Sequence, residues 1–239
     1  MKKLSLLLLL TAFVSAGFAQ SGTSTFIKST NDFMEKYVNE GMVNYAQIKK
    51  NFTEIEGLYR SVGSMDISVN NDIEKKAFFL NAYNIIVIYQ VSKYYPLKSP
   101  MDQSGFFDRV KHRVAGEQLT LNELEIKKIV LKYKDPRIHF ALACGAQSCP
   151  PLASFAYKPE SLENQLDART KKALNDPEFI VINEEKRTVD ISEIFKWYVK
   201  DFTSTGKTVM GFINQYRTNP VADNYVQGYY QYNWNLNEQ

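Results

Sequence analysis

Between Asp72 and Tyr95 the chain carries its longest apolar stretch beyond the N-terminus, and that stretch has almost no polar side. Runs at Ala77–Leu80 and Ile85–Tyr89 place apolar groups on every face of a helix. A helix that is apolar all round must be covered all round. Any fold of this chain is therefore built about that helix, which Pro96 ends.

The flanking segments supply the cover. From Asn31 to Arg60 apolar residues recur at helical spacing (Phe33, Tyr37, Ile48, Phe52, Ile55, Leu58) with a break at Gly41, which predicts two helices about a short turn. Phe106 to Leu119 reads as a hairpin turning at Ala115-Gly116-Glu117. Thr120 and Glu123 have the spacing of a capping box opening a helix that runs to about Lys132. Asp135-Pro136 breaks that helix, and Arg137 to Ala143 is expected as a strand. Ser161 to Leu174 is amphipathic. Phe179 to Ile191 alternates as a hairpin about Asn183 to Arg187, Ser192 caps a helix through Phe202, and Thr208 to Tyr216 forms another. The aromatic segment from Asn224 is expected to be extended. Long helices first and short strands later predict a helix-rich α+β fold around a small, mostly antiparallel sheet.

The first nineteen residues have the pattern of a secretory signal peptide. Lys2 and Lys3 precede an apolar core from Leu4 to Val14 and a small-residue site at Gly17-Phe18-Ala19, with cleavage expected before Gln20. No cysteine lies near the cut, so no lipid anchor is expected there. No later segment approaches the roughly 20 apolar residues of a membrane span. Residues 20–30 are Ser/Thr/Gly-rich and expected to be loose, leaving 31–239 as one domain in the periplasm or outside the cell. Cleavage removes two of the 29 basic residues, leaving 27 against 26 acids, a net charge of +1. So balanced a surface argues against nucleic acid as a partner.

Several motifs occur together: Gly41-Met42-Val43-Asn44-Tyr45, Asn81-Ala82-Tyr83-Asn84, Gly105-Phe106-Phe107-Asp108, Asp135 to Leu142, Cys144 to Pro151, Phe195-Lys196-Trp197-Tyr198 with Asp201-Phe202, and Asn233 to Asn237. As a set, spanning residues 31–237, they resemble the domain of unknown function 547 family. That family's pattern has a tryptophan shortly before the Asn-Ala-Tyr-Asn element, where this chain has Phe79, and closes on Asp-Trp, where this chain has Asn233-Trp234. The family name carries no activity. By analogy, the resemblance implies a papain-like or transglutaminase-like thiol enzyme.

Both cysteines and one of the two histidines fall between Arg137 and Pro151. A thiolate nucleophile needs a base and a group that orients the base. On a strand, His139 shares a face with Ala141 and Ala143 and points away from Cys144. Cys149, beyond a glycine-containing loop, is then the candidate nucleophile and His139 the base. Asn81 and Asn84, three apart on one helix face, are candidate orienting or oxyanion groups, or else fasteners of neighbouring loops. Backbone amides at Gly145, Ala146 and Ser148 offer an anion site beside Cys144. Arg137, and Arg113 in the basic run Arg109 to Arg113, are candidate grips for a carboxylate.

Three alternatives stand beside the nucleophile. Two cysteines this close in an exported chain often pair. They can also be buried thiols, or join His139 and His112 in a zinc set. No phosphate loop, nucleophile elbow, zincin helix or assignable carboxylate pair is present, and no cofactor is implied. The residues thus carry two leading readings. One is a thiol-dependent hydrolase or transferase acting on a peptide or small thiol-peptide amide. The other is a non-catalytic module binding a small molecule or peptide beside a disulfide-closed Cys144–Cys149 loop. A third is an interaction domain using the aromatic residues Tyr229, Tyr230, Tyr232 and Trp234.

Overall fold

The computed structural model describes residues 22–239; the predicted signal peptide lies outside the described residues. Helix α1 occupies 22–37. Its Phe26, Ile27, Thr30, Phe33, Met34 and Tyr37 are buried, and their three- and four-residue spacing puts them on one face. The expectation of a loose 20–30 segment is therefore corrected for residues 22–30. Packing of Phe26 and Ile27 outweighs the low helix propensity of Ser and Thr.

A two-residue turn at Glu40-Gly41, both with positive φ, joins strands β1 (Val38–Asn39) and β2 (Met42–Val43). Here the predicted pair of helices about Gly41 is corrected to a helix, a hairpin and then two helices, α2 (Tyr45–Lys50) and α3 (Phe52–Ser64). Gly41 itself is required: at φ +89° an added Cβ would sit 2.7 Å from the Pro151 Cβ.

Helix α4 (Asp72–Tyr94) lies at the centre as expected. An Asn71/Glu74 capping box opens it, and every residue from Lys76 to Ser92 except Tyr89 is buried. Strands β3 (His112–Val114) and β4 (Glu117–Leu119) form the predicted hairpin, shorter than expected. The predicted Thr120/Glu123 capping box then opens α5, in which Leu121–Glu123 and Leu131–Tyr133 flank a π-helical stretch, Leu124–Val130. Helix α6 (Leu162–Leu174) follows the cysteine loop.

Strands β5 (Ile180–Asn183) and β6 (Thr188–Ile191) pair antiparallel with Ile180 opposite Ile191, and β7 (Val226–Tyr229) adds in parallel to β6. Between β6 and β7 lie the short helices α7 (Ile194–Trp197) and α8 (Val199–Thr203), where one helix was expected, and α9 (Val209–Tyr216). The architecture is helix-rich α+β with small sheets, mostly antiparallel.

The apolar interior forms two clusters. One surrounds α4; the other gathers Phe140, Phe179, Phe195, Phe202 and Phe212 between α6, the β5–β7 sheet and α7–α9. Residues 233–239 stitch distant parts together. Asn237 accepts from the Tyr45 hydroxyl (2.9 Å) and donates through its amide side chain to the Gly41 carbonyl (3.0 Å), while Val43 N–H donates to the Asn237 carbonyl (2.8 Å). Among the described residues no helix is long and apolar enough to cross a membrane.

Candidate functional site

Arg137 to Ala143 is not a strand. Pro136–Phe140 is a 3₁₀ turn, with Pro136 in its first turn and the Asp135 carboxylate accepting from Arg137 N–H at 3.1 Å. Proline and an aspartate cap set the turn, whereas strand alternation over so few residues is weak. The face argument that set Cys144 opposite His139 falls with the strand. Instead His139, Cys144 and Cys149 all line one cavity of about 290 Å³.

Helix α4 holds the loop leading to that cavity. Asn84 donates to the Ala141 carbonyl (2.9 Å) and accepts from Ala143 N–H (3.0 Å). Asn81, one turn earlier, donates to the Ala77 and Tyr157 carbonyls and accepts from Tyr157 N–H (2.9 Å). Both amides, candidate catalytic groups in the sequence, are engaged with backbone. The group that orients His139 is Asp201 of α8, whose Oδ2 lies 2.9 Å from His139 Nε2. His139 is buried between Tyr198 and Phe202, its ring 4.1 Å and 5.3 Å from theirs.

Cys144 and Cys149 are joined in a disulfide, with Cα atoms 6.2 Å apart. The Tyr232 hydroxyl touches both sulfurs, at 3.2 Å from Cys144 and 3.1 Å from Cys149, and Cys144 N–H points at the Cys149 sulfur from 3.0 Å. Gly145 turns the loop at φ +82°, where an added Cβ would meet Pro100 Cγ at 3.2 Å. Of the three amides read as an anion site, that of Ser148 is occupied. Gln147 N–H donates to the Asn235 carbonyl and Ser148 N–H to that of Asn233, while the Ser148 hydroxyl accepts from Asn233 N–H. These bonds take Gln147 N–H and Ser148 N–H out of any oxyanion site.

The two arginines lie elsewhere. Arg113 is exposed on β3, opposite Gln118, and does not line the cavity. Arg137 is gripped by Asp135, Glu163 and Asp167, and Lys76 meets Asp135 at 2.7 Å. Burial raises the Asp135 carboxyl, but hydrogen bonds from Arg137 and Lys76 outweigh it and bring it to about 2. His112, considered for a zinc set, is instead buried against Tyr59, its Nδ1 3.1 Å from the hydroxyl. Burial, helped by the charge of Lys93, lowers it to about 4. Among the described residues no group of three or more His, Cys, Asp or Glu could hold a metal.

Of the rest of the cavity wall, the sequence offered only Tyr232 and Trp234, and those as an interaction surface. Tyr83 of α4, Phe107, Trp197, Tyr198, Tyr232 and Trp234 bring aromatic rings to it, and Asn122 and Glu125 of α5 bring polar groups. Tyr198 donates to Glu125 Oε1 at 2.7 Å. Burial first, then the Glu125 charge, holds the Tyr83 and Tyr198 phenols protonated far above their usual range. Trp197, Tyr232 and Trp234 pack together with centroids 4.8–6.0 Å apart. Phe195 and Phe202 are buried in the core, whereas Trp197 is half-exposed at the rim and Tyr198 lines the cavity. The one available signal was the aromatic density of Phe195–Tyr198 and Tyr229–Trp234.

Fold and site together define a helix-rich α+β protein with an aromatic cavity walled on one side by a disulfide. The family model described as "Protein of unknown function, DUF547" matches residues 67–173, and the chain is a DUF547 domain-containing protein. The matched segment holds Asn81, Asn84, Glu125, His139 and both cysteines. Asp201 and the wall formed by Trp197, Tyr198, Tyr232 and Trp234 lie outside it. No curated protein and no solved structure matches the chain.

Proposed function

We propose that the cavity is a binding site for a small molecule or short peptide end, with the Cys144–Cys149 disulfide as part of its wall. The observation that carries this reading is the convergence of six aromatic side chains, His139, Glu125 and the disulfide on one concave space. A cavity mostly apolar with a few placed polar groups is the usual form of a ligand site. The disulfide and the N-terminal signal pattern agree in pointing to an exported protein in an oxidising compartment. Ligand-observed NMR with the neutral probes N-acetylleucinamide and cyclohexanol tests the reading. Binding that weakens at least fivefold in Trp234→Ala supports it. No binding, or binding indifferent to that substitution, overturns it.

One observation favours a second reading, thiol catalysis in the reduced protein. His139, held by Asp201, lines the same cavity as Cys149, and after reduction Cys144 N–H and the Tyr232 hydroxyl are placed to donate to a Cys149 thiolate. Donors of this kind favour the ionised thiol. Incubation of the reduced protein with short peptide p-nitroanilides checks it. Release of nitroaniline that disappears in Cys149→Ala supports a hydrolase or transferase; no release sinks it.

A further inference from the structure

Glu125 is the cavity's unpaired charge. Its relative exposure is 8%, and the Tyr198 hydroxyl reaches it at 2.7 Å. Yet among the described residues no Lys, Arg or His nitrogen lies within 4.0 Å of it. The buried Lys76 is, by contrast, neutralised by Asp135 at 2.7 Å. A carboxylate withdrawn from water is costly unless a cation accompanies it. The phenols of Tyr198 and Tyr83, both hydrogen-bonded to Glu125, offset part of that cost without supplying a positive charge.

Two further observations bear on the same residue. Glu125 stands in the π-helical stretch Leu124–Val130, a rare backbone form that concentrates at functional sites. Around it the cavity is lined by Tyr83, Phe107, Trp197, Tyr198, Tyr232 and Trp234. Aromatic rings attract cations through their quadrupole, most strongly when the cation is poorly hydrated and water is excluded. A methylated or alkyl ammonium satisfies both requirements at once. Its apolar surface packs on rings, and its charge answers a buried carboxylate.

We infer that this cavity takes an organic ammonium group, with Glu125 as the counter-charge and Trp197, Tyr232 and Trp234 as the aromatic cage. The inference rests on the cavity's being a ligand site and adds the ligand's charge and class. His139 does not compete for Glu125, because its Nε2 is held by Asp201.

The experiment uses the chain's own chromophores. The sequence has two tryptophans, Trp197 and Trp234, and both line the cavity, so tryptophan emission reports on this site alone. Choline is titrated against 3,3-dimethylbutan-1-ol, which has the same shape without the charge. Choline is expected to bind at least tenfold more tightly, and Glu125→Gln to bring the two affinities within about twofold while the alcohol still binds. Should Glu125→Gln fail to fold, Trp197→Ala at the exposed rim serves instead, with choline affinity falling more than that of the alcohol. Equal affinities in the native protein, or a preference that survives Glu125→Gln, overturn the inference. If the two bind equally, the cavity remains a ligand site for neutral molecules. If neither they nor the neutral NMR probes bind, both readings fall together.

Discussion

Removing the Asn84 side chain strikes the fastening between the central helix and the cysteine loop. Asn84→Ala deletes a donor to the Ala141 carbonyl and an acceptor for Ala143 N–H, at residues whose exposures are 4% and 3%. Each buried polar group left without a partner costs about 1–3 kcal/mol, so two orphaned groups cost about 3 kcal/mol after partial relaxation. For a chain of this length 1 kcal/mol moves the unfolding midpoint by roughly 2–4 °C, so a fall of about 6–12 °C is expected. Thermal unfolding followed by circular dichroism measures it, with Glu185→Ala in the exposed β5–β6 turn as a control within about 0.5 kcal/mol of the native protein. Asn84→Asp is expected to be no better, because it keeps the acceptor but loses the donor and buries a charge. A loss in Asn84→Ala below about 1 kcal/mol would refute the claim that this amide holds the loop.

Three further outcomes follow from geometry already described. Replacing both Cys144 and Cys149 by serine opens a very short loop, and chain-entropy arguments put the loss at about 2 kcal/mol, readable as a lower urea midpoint at unchanged slope. Gly41→Ala forces a Cβ into Pro151 at positive φ and is expected to lower the thermal midpoint by several degrees, whereas Gly57→Ala, with nothing within 4 Å, is expected to hold or raise it. His112 ionises near 4 when folded and near 6.5 when unfolded, so the unfolded chain takes up the proton first as pH falls. This group's contribution is thus full above about 6.5 and fades between 6.5 and 4. Unfolding midpoints across that window are expected to fall more steeply in the native protein than in His112→Gln.

The parts of the fold that could be read from sequence are those where a single strong signal stands alone. Helix α4 was legible because apolar residues on every face admit one arrangement, and the Thr120/Glu123 box and the β5–β6 alternation are equally local. Where two local signals compete, the sequence misleads. Residues 22–30 look like a Ser/Thr-rich linker until Phe26 and Ile27 find the core. Residues 137–143 alternate like a strand until Asp135 and Pro136 start a 3₁₀ turn.

The site divides in the same way. His139 and the cysteines were singled out by their scarcity, whereas Glu125 sits among Glu123, Lys127 and Lys128 and reads as one more charge on a solvated face. The wide turns of the π-helical stretch change the register of α5, and charge patterning carries no trace of such a change. The His139–Asp201 contact spans 62 residues and depends on how α8 packs, which no spacing rule reaches.

The bonds between Asn237 and residues 41–45 also place the cavity in time. Tyr45 must wait for Asn237, 192 residues downstream, and the loop amides of Gln147 and Ser148 wait for Asn235 and Asn233. At about 5–20 residues per second, that interval in synthesis is on the order of 10–40 s. For most of it the nascent chain has its central helix but lacks the Tyr232–Trp234 wall and the Asn237 side chain that bonds the Gly41 carbonyl. Cys144 and Cys149, by contrast, emerge within moments of each other. Their bond can close on a loop that is not yet braced, and the Tyr232–Trp234 wall joins the cavity only afterwards.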